Sequence, residues 1–506
     1  MQTIRSVVLE LQPESVPQLR GQLDALKASQ EDLPHAYSAI KQALPTLHFM
    51  SVIIFDDDQY DPVLVIEVNF DGPPEPFWLA FQAALGEAFR AILRCGRVPR
   101  DESAALFRAV TAPGSTEPVA PLLAALALMP AVAHQGNRGL DRARIEAEGQ
   151  LFATVQDLID HGGLPPNASA VQIHTSIRAA LPGHKALADM PPRIPADESR
   201  ADWVKLTVFV VVLLAVLVAP GILLSWLVGP WVAALLLVGA GGVFLSRLGL
   251  ASAVPAWPRR VALTAGAVLL GVLGLAVLCA MPGTLPLWRA RAGLGVVGLV
   301  PMVAGIVWWI RALEMRDAPQ DAPRPDPAML RAMARREDFI TQNHMGSVVH
   351  LRPGVLRAIL VRVAMRVLGL VLRVQARTGY LGSMRTIHFA HWAFISNGSR
   401  LMFFSNFDGS WESYLDDFIE KAHGGLTLAW TGAVGFPTTR FLVLDGATQG
   451  RKFKAWARHS MAESLFWYSA YIGFTVNQIE RQARVAEGLR RPLLSEQEAL
   501  AWTLDL

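Results

Sequence analysis

The stretch from Leu206 to Ile310 constrains this chain more than any other, because it holds four long apolar runs separated only by short connectors. Leu206 to Ser246 carries no charged residue, and Gly229-Pro230 near its middle reads as a tight hairpin between two helices. Val261 to Trp288 is a third uncharged run and Ala292 to Ile310 a fourth. A helix rises about 1.5 Å per residue, so about 20 apolar residues cross the hydrocarbon core of a bilayer. A soluble surface helix of that length would keep a polar face, and these runs have none. The expectation is a four-helix transmembrane region over residues 204–312, with the lipid bilayer as partner.

The 506 residues leave room for about two further domains. These are placed at 1–160 and 345–506, with linkers at 161–203 and 313–344. The net charge of +3, and the lack of a basic tract with interleaved aromatics, argue against a nucleic-acid partner. The cysteines are Cys95 and Cys279, and the second lies in the third apolar run, so no disulfide framework is expected. The start of the chain, MQTIRSVVLELQPES, lacks the features of a signal peptide, so nothing is expected to export the first domain. Arg193, Arg200, Lys205, Arg247, Arg259, Arg260, Arg311 and Arg316 fall on one side of four crossings. Arg289 and Arg291 fall on the other, so the positive-inside rule puts both soluble domains in the cytoplasm. The uncharged runs contain no Asp, Glu, Lys or His, which suits an anchor better than a conduit. Gly239, Gly241, Gly242, Gly271 and Gly274 are expected to be helix-packing points.

The two flanking domains repeat each other. In the first, Ser6 to Leu11 reads as a strand, and Val16, Leu19, Leu23 and Leu26 mark a helix. HFMSVIIF (His48 to Phe55) and VLVIEVNF (Val63 to Phe70) read as strands, and Phe77 to Leu93 as a helix. In the second, Ser347 to Pro353 echoes Ser6 to Pro13, and Val355 to Gln375 is helical. HFAHWAFI then begins at His388, and LMFFSNF covers Leu401 to Phe407. Asn406-Phe407-Asp408-Gly409 repeats Asn69-Phe70-Asp71-Gly72 letter for letter. Both halves close on a glycine loop and a charged helix, ending Ala147-Glu148-Gly149 and Ala486-Glu487-Gly488. An internal duplication follows. The fold expected is an α+β membrane protein: a four-helix transmembrane bundle inserted between two ferredoxin-like (β-α-β-β-α-β) repeats that pair as a pseudo-two-fold α/β barrel.

The His-Phe, Asn-Phe-Asp-Gly and Tyr414-Leu415-Asp416-Asp417 pattern resembles bacterial proteins loosely grouped with catalases and peroxidases. The doubled plan is similar to the dimeric α/β-barrel superfamily, which includes dye-decolourising peroxidases and chlorite dismutase-like haem proteins. The resemblance covers about residues 1–150 and 345–490 and leaves out the apolar runs. It implies a bacterial inner membrane, a peroxidase-like or oxidoreductase-like activity on a small or lipid-derived molecule, and haem as candidate cofactor. Haem-free members exist, so a non-catalytic, homo-oligomeric, membrane-associated scaffold or binding protein stands as the alternative.

Each candidate site residue has two readings. Asp71 and Asp408, with Asn406, follow a strand and precede a helix. They either cap the turn or face a shared cavity as catalytic groups. His388 either acts in catalysis or, with His391, His423 and His459, supplies a haem ligand. The bland alternative is an inert, hydrogen-bonded strand histidine. Strand alternation puts His388 and His391 on opposite faces, so no metal pair is expected there. At about 100° per residue, Arg362, Arg366, Arg373 and Arg377 share one helix face, a surface either for solvent or for anionic lipid headgroups. Phe466-Trp467-Tyr468 with Tyr471 reads as core or as the lining of an apolar pocket.

Overall fold

The computed structural model describes residues 2–33, 36–57, 60–161, 167–187, 193, 196–250, 266, 287–317, 325–337, 340–375 and 384–506. Among them, 16 α-helices accompany two five-stranded antiparallel sheets, so the chain is α+β. Two compact units result, one of Met1–Ser199, Asp321–Phe436 and Ala447–Leu506, the other of Arg200–Gln320 and Pro437–Gly446.

The larger unit is made by two stretches that fold alike. The first supplies β1 (Gln2–Glu10), β2 (Leu47–Asp57) and β3 (Tyr60–Asp71), then the short β4 (Ala127–Leu128) and β5 (Val132–Gln135). The second supplies β6 (Gln342–His350), β7 (Ile387–Ile395) and β8 (Arg400–Asp408). A two-strand hairpin, β9 (Thr439–Arg440) and β10 (Leu444–Asp445), belongs to the other unit. The short β11 (Met461–Ala462) and β12 (Ser464–Ser469) complete the set. The sheet orders are β12-β2-β3-β1-β4 and β11-β6-β8-β7-β5. Each half therefore gives its last strand to the other half's sheet, and neither sheet is complete without the exchange.

The two sheets face each other through Ile53, Val63 and Val65 on one side and Ala393, Ile395, Met402 and Phe404 on the other. The outer face of each is covered by helices. Val16–Gln30 and Pro74–Leu93 pack on the first, Val355–Gln375 and Trp411–Trp430 on the second. Both halves use the same devices. A bulge falls between Leu47 and Phe49, and another between Ile387 and Phe389. Phe70 stacks on Phe77 at 3.8 Å, and Phe407 on Tyr414 at 4.2 Å. Gly72 and Gly409 take φ of +90° and +79°, a region open to glycine and strained for other residues.

Two details of the repeat differ from the letters. Ser6 lies opposite Glu67 and Gly346 opposite Phe404, so Ser6 corresponds to Gly346 and not to Ser347. Shared letters had drawn the match one residue off the pairing register. The Ala-Glu-Gly triplets also part: Gly149 lies in the second turn of its helix (Arg142–His161), Gly488 near the end of its own (Val476–Arg490).

In the smaller unit, Asp197–Val228 and Leu287–Arg316 are long and apolar enough to cross a membrane, each holding an 18-residue stretch of mean hydropathy 2.9 and 2.0 respectively. Pro230–Phe244 is a shorter apolar helix, and Gly229 turns the hairpin at φ +80° as expected. The third run lies outside the described residues apart from Gly266 and its last two positions, as do Gly271 and Gly274. The close contacts fall at other glycines. A Cβ on Gly221 would meet Leu294 O at 2.5 Å, and one on Gly298 would meet Gly221 Cα at 2.9 Å. Gly239 and Gly242 look onto open space, and Gly241 reaches only Val300, at 3.9 Å.

Candidate functional site

The duplicated motif builds the same pair of bonds twice. His48 Nε2 lies 2.9 Å from Asp71 Oδ2, which also accepts the Arg142 N–H at 2.8 Å. His388 Nε2 lies 2.7 Å from Asp408 Oδ1, while Asp408 Oδ2 accepts the Val476 N–H at 2.8 Å. Arg142 and Val476 open the helices that follow the exchanged strands. A helix start presents unpaired amides and a partial positive charge, so each carboxylate is held by a helix end and a histidine together. Asp71 and Asp408 thus cap helices far along the chain, at Arg142 and Val476, and not the turns beside them, where Pro73 and Ser410 hold the N-cap positions. Ser410 caps the Trp411–Trp430 helix, its Oγ accepting the Ser413 N–H.

The bulges lift His48 and His388 out of strict alternation, which brings each ring against the opposite sheet: Phe389 is 5.3 Å from His48, and Phe49 is 5.3 Å from His388. His391 stays on the inner face and joins a different group. Its Nε2 lies 2.8 Å from Ser6 Oγ, and its Nδ1 is 3.3 Å from Glu67 Oε1, an ion-pair distance without hydrogen-bond alignment. Glu67 Oε2 lies 3.1 Å from His344 Nε2, and His344 Nδ1 lies 2.7 Å from Ser464 Oγ. A chain of five side chains, Ser6, His391, Glu67, His344 and Ser464, therefore runs between the sheets. Ser51 and Asn406 add bonds to Glu67 Oε2 at 3.2 and 3.4 Å, and Asn406 Oδ1 accepts the Trp467 indole N–H at 2.9 Å.

Glu67 has no exposed surface. Burial alone would raise its pKa, but the His344 hydrogen bond and the nearness of both His344 and His391 hold it well below the usual carboxylate range. His134 on β5 has no such partner, and burial pushes its pKa down to about 4. The buried carboxylate comes from one half and its two histidines from the other.

Chemically, Ser6–His391–Glu67 has the order of a nucleophile, base and orienting acid. Ser6 is 1 % exposed, however, so the group is sealed from a substrate. An apolar cavity of about 20 Å³, little more than one water, lies among Phe403, Tyr414, Phe418, Trp430 and Trp456. An open cleft of about 390 Å³ lies between Ser29–Gln30 and the Pro74–Leu93 helix. No histidine lines either.

These facts test haem. His388 and His391 are buried with Nε2 already bonded, to Asp408 and Ser6. His423 and His459 are exposed and apart from the buried set. The four histidines do not fit an iron ligand in a cofactor pocket, and no step is drawn through haem. Among the described residues no group of three or more His, Cys, Asp or Glu is arranged to hold a metal ion. Cys95 is a free, buried thiol.

The pairings of His388 with Asp408 and of Asn406 with Trp467 join residues singled out in the sequence. Glu67, His344, Ser6 and Ser464 were missed. One signal was present: Glu67 and Asn69 alternate onto one face of an otherwise apolar strand. No family model, no curated protein and no solved structure matches the chain.

Proposed function

We propose that this chain is a non-catalytic, membrane-anchored binding protein rather than a haem peroxidase. The observation that carries the reading is the double engagement of Asp71 and Asp408, each bonded at once to a histidine and a helix N-terminus. Groups held this way position structure and are not free to move protons for a substrate. On this reading the two halves are ferredoxin-like units joined as a pseudo-two-fold barrel, a plan that the exchanged strands and repeated bulges support. Four crossings would anchor the unit in a bacterial inner membrane, with both halves on the cytoplasmic side and copies associating in the bilayer.

The partner this reading favours is an anionic lipid surface. The Val355–Gln375 helix exposes Val355 (80 %), Ile359 (53 %), Arg362, Arg366 and Arg373 along one stripe. Apolar residues beside arginines at helical spacing suit the boundary between headgroups and acyl chains. Arg377 lies outside the described residues. Hydrogen exchange of the full chain in nanodiscs tests the proposal: residues 355–375 gain protection when anionic lipid replaces zwitterionic lipid. Equal exchange in both lipids removes the lipid partner. Peroxide-dependent turnover, or a Soret band on adding haemin, removes the non-catalytic reading.

A further inference from the structure

The two halves treat equivalent buried polar groups differently, and the difference lies along the exchanged strands. β12 and the turn after it present Trp467, Ser469 and Tyr471. Trp467 Nε1 donates to Asn406 Oδ1 at 2.9 Å, and Ser469 Oγ donates to Gln342 Oε1 at 2.6 Å. Tyr471 Oη lies 2.8 Å from His48 Nδ1. Every one of these buried groups has its partner.

β5 follows the same register. Trp467 pairs with Ser51 and Ala133 with His391, while Ser469 pairs with Phe49 and Gln135 with Phe389. Gln342 Nε2 bonds the carbonyls of Tyr471 and Phe474, as Gln2 Nε2 bonds those of Asn137 and Leu140. The counterparts of Trp467, Ser469 and Tyr471 are thus Ala133, Gln135 and Asn137. The groups they would serve are Asn69, Gln2 and His388, which are 0 %, 6 % and 1 % exposed. Asn69 leaves both amide atoms unpaired, Gln2 its Oε1 and His388 its Nδ1.

A buried polar group without a partner costs on the order of 1–3 kcal/mol, and native cores keep few of them. Here three occur together, each matched by a satisfied group in the other half. At Asn69 and His388 the shortfall comes from an indole on β12 and a phenol just after it being replaced by a methyl on β5 and a short amide just after it, and at Gln2 from Ser469 being replaced by Gln135, whose Nε2 bonds the Gln2 backbone carbonyl. Asn137 Nδ2 bonds Glu480 and the Val476 carbonyl instead. His391, paired with Ala133 across the strands, serves none of the three: its Nε2 bonds Ser6 and its Nδ1 faces Glu67. Ala133 and Gln135 are part-exposed, which gives the place an edge on solvent.

We propose that this place binds a small planar molecule with an N–H or O–H donor, of the indole, phenol or cyclic-amide class. The ligand stands in for the rings that Trp467 and Tyr471 supply in the other half. Its donor serves Asn69 Oδ1, Gln2 Oε1 or His388 Nδ1, which accepts because the ring's Nε2–H faces the Asp408 carboxylate, and an acceptor, in the phenol and cyclic-amide cases, takes the Asn69 Nδ2–H. The site is independent of the lipid surface above.

Thermal unfolding of the full chain in mild detergent tests this, with indole, phenol and 2-pyridone as probes and benzene as a control that cannot hydrogen-bond. At least one probe raises the Tm saturably, by about 2–4 °C or more, and benzene does less. Ala133→Trp, which copies Trp467, abolishes the response. Asn69→Leu keeps the test open should that variant not fold, and it levels the probes with benzene. No shift with any probe overturns the site, as does a full response in either folded variant. A high-resolution map with only ordered water bonded to Asn69 in a probe-soaked sample overturns it too.

Discussion

His48 and His388 occupy the same bulge in the two halves, and each bonds an aspartate that caps a helix, yet only His48 has a second partner, in Tyr471. The same contrast runs through the interior. Glu67 corresponds to Phe404, His391 to Ser51 and His344 to Ile4, so the acid stands on one inner face and the bases on the other. The backbone frame and its caps have stayed equal while the inner faces have become complementary. A half facing its own copy would bring two Glu67 carboxylates, or two pairs of histidines, together without compensation.

Substitutions at matched positions can break this comparison. The largest effect belongs to Glu67→Ala, which strands His344 and His391 in the interior. We expect a loss of about 3–5 kcal/mol in chemical denaturation, and a loss under 1 kcal/mol would mean the complementarity contributes little.

Next comes acid. His134 is held neutral, with its pKa down from 6.5 to about 4, whereas burial pushes its counterpart, the Tyr468 hydroxyl, up and keeps it neutral. Between those two pH values the unfolded chain takes up a proton that the folded one refuses, so stability falls as pH drops through the window, by up to about 3 kcal/mol. Glu67 extends the loss below its ordinary 4.5, since its folded carboxylate stays ionised where the unfolded one protonates. His134→Tyr, copying Tyr468, should flatten the stability profile from pH 6.5 to about 4 and leave the lower limb in place.

Asp71→Ala and Asp408→Ala each remove a histidine bond and a helix cap, an expected loss of about 2 kcal/mol in either half. Unequal losses would mean that the frame has diverged as well. His48→Phe should exceed His388→Phe by about 1 kcal/mol, because it alone strands a tyrosine hydroxyl. The smallest effect is Gly72→Ala or Gly409→Ala, about 1 kcal/mol each through the positive φ, read as a matched drop in Tm.

The parts legible in the sequence are those with local causes. Alternation marked β2, β3, β7 and β8, and Asn-Phe-Asp-Gly marked the turn because its last position takes a positive φ that favours glycine. The exchange was not legible, since Val132–Gln135 is four residues long, too short to show a period, and its partner β7 lies more than 250 residues away. His344 was passed over because the repeat was matched from Ser347, beyond it. Asp408 and His388 were found, but their bonds to the Val476 helix start depend on where that helix lands, which no local pattern records. His423 and His459 show the converse: side chains suited to ligation, on surfaces that offer nothing to ligate.

Because β12 closes the first sheet, the opening 70 residues wait, one edge unpaired, until the ribosome has made Ser464–Ser469. In the interval the two helices long and apolar enough to cross a membrane are synthesised. Biogenesis must therefore keep an unfinished sheet from aggregating while those helices are made, and a chain cut short just before residue 464 would hold every strand of the second sheet yet leave the first open along β2.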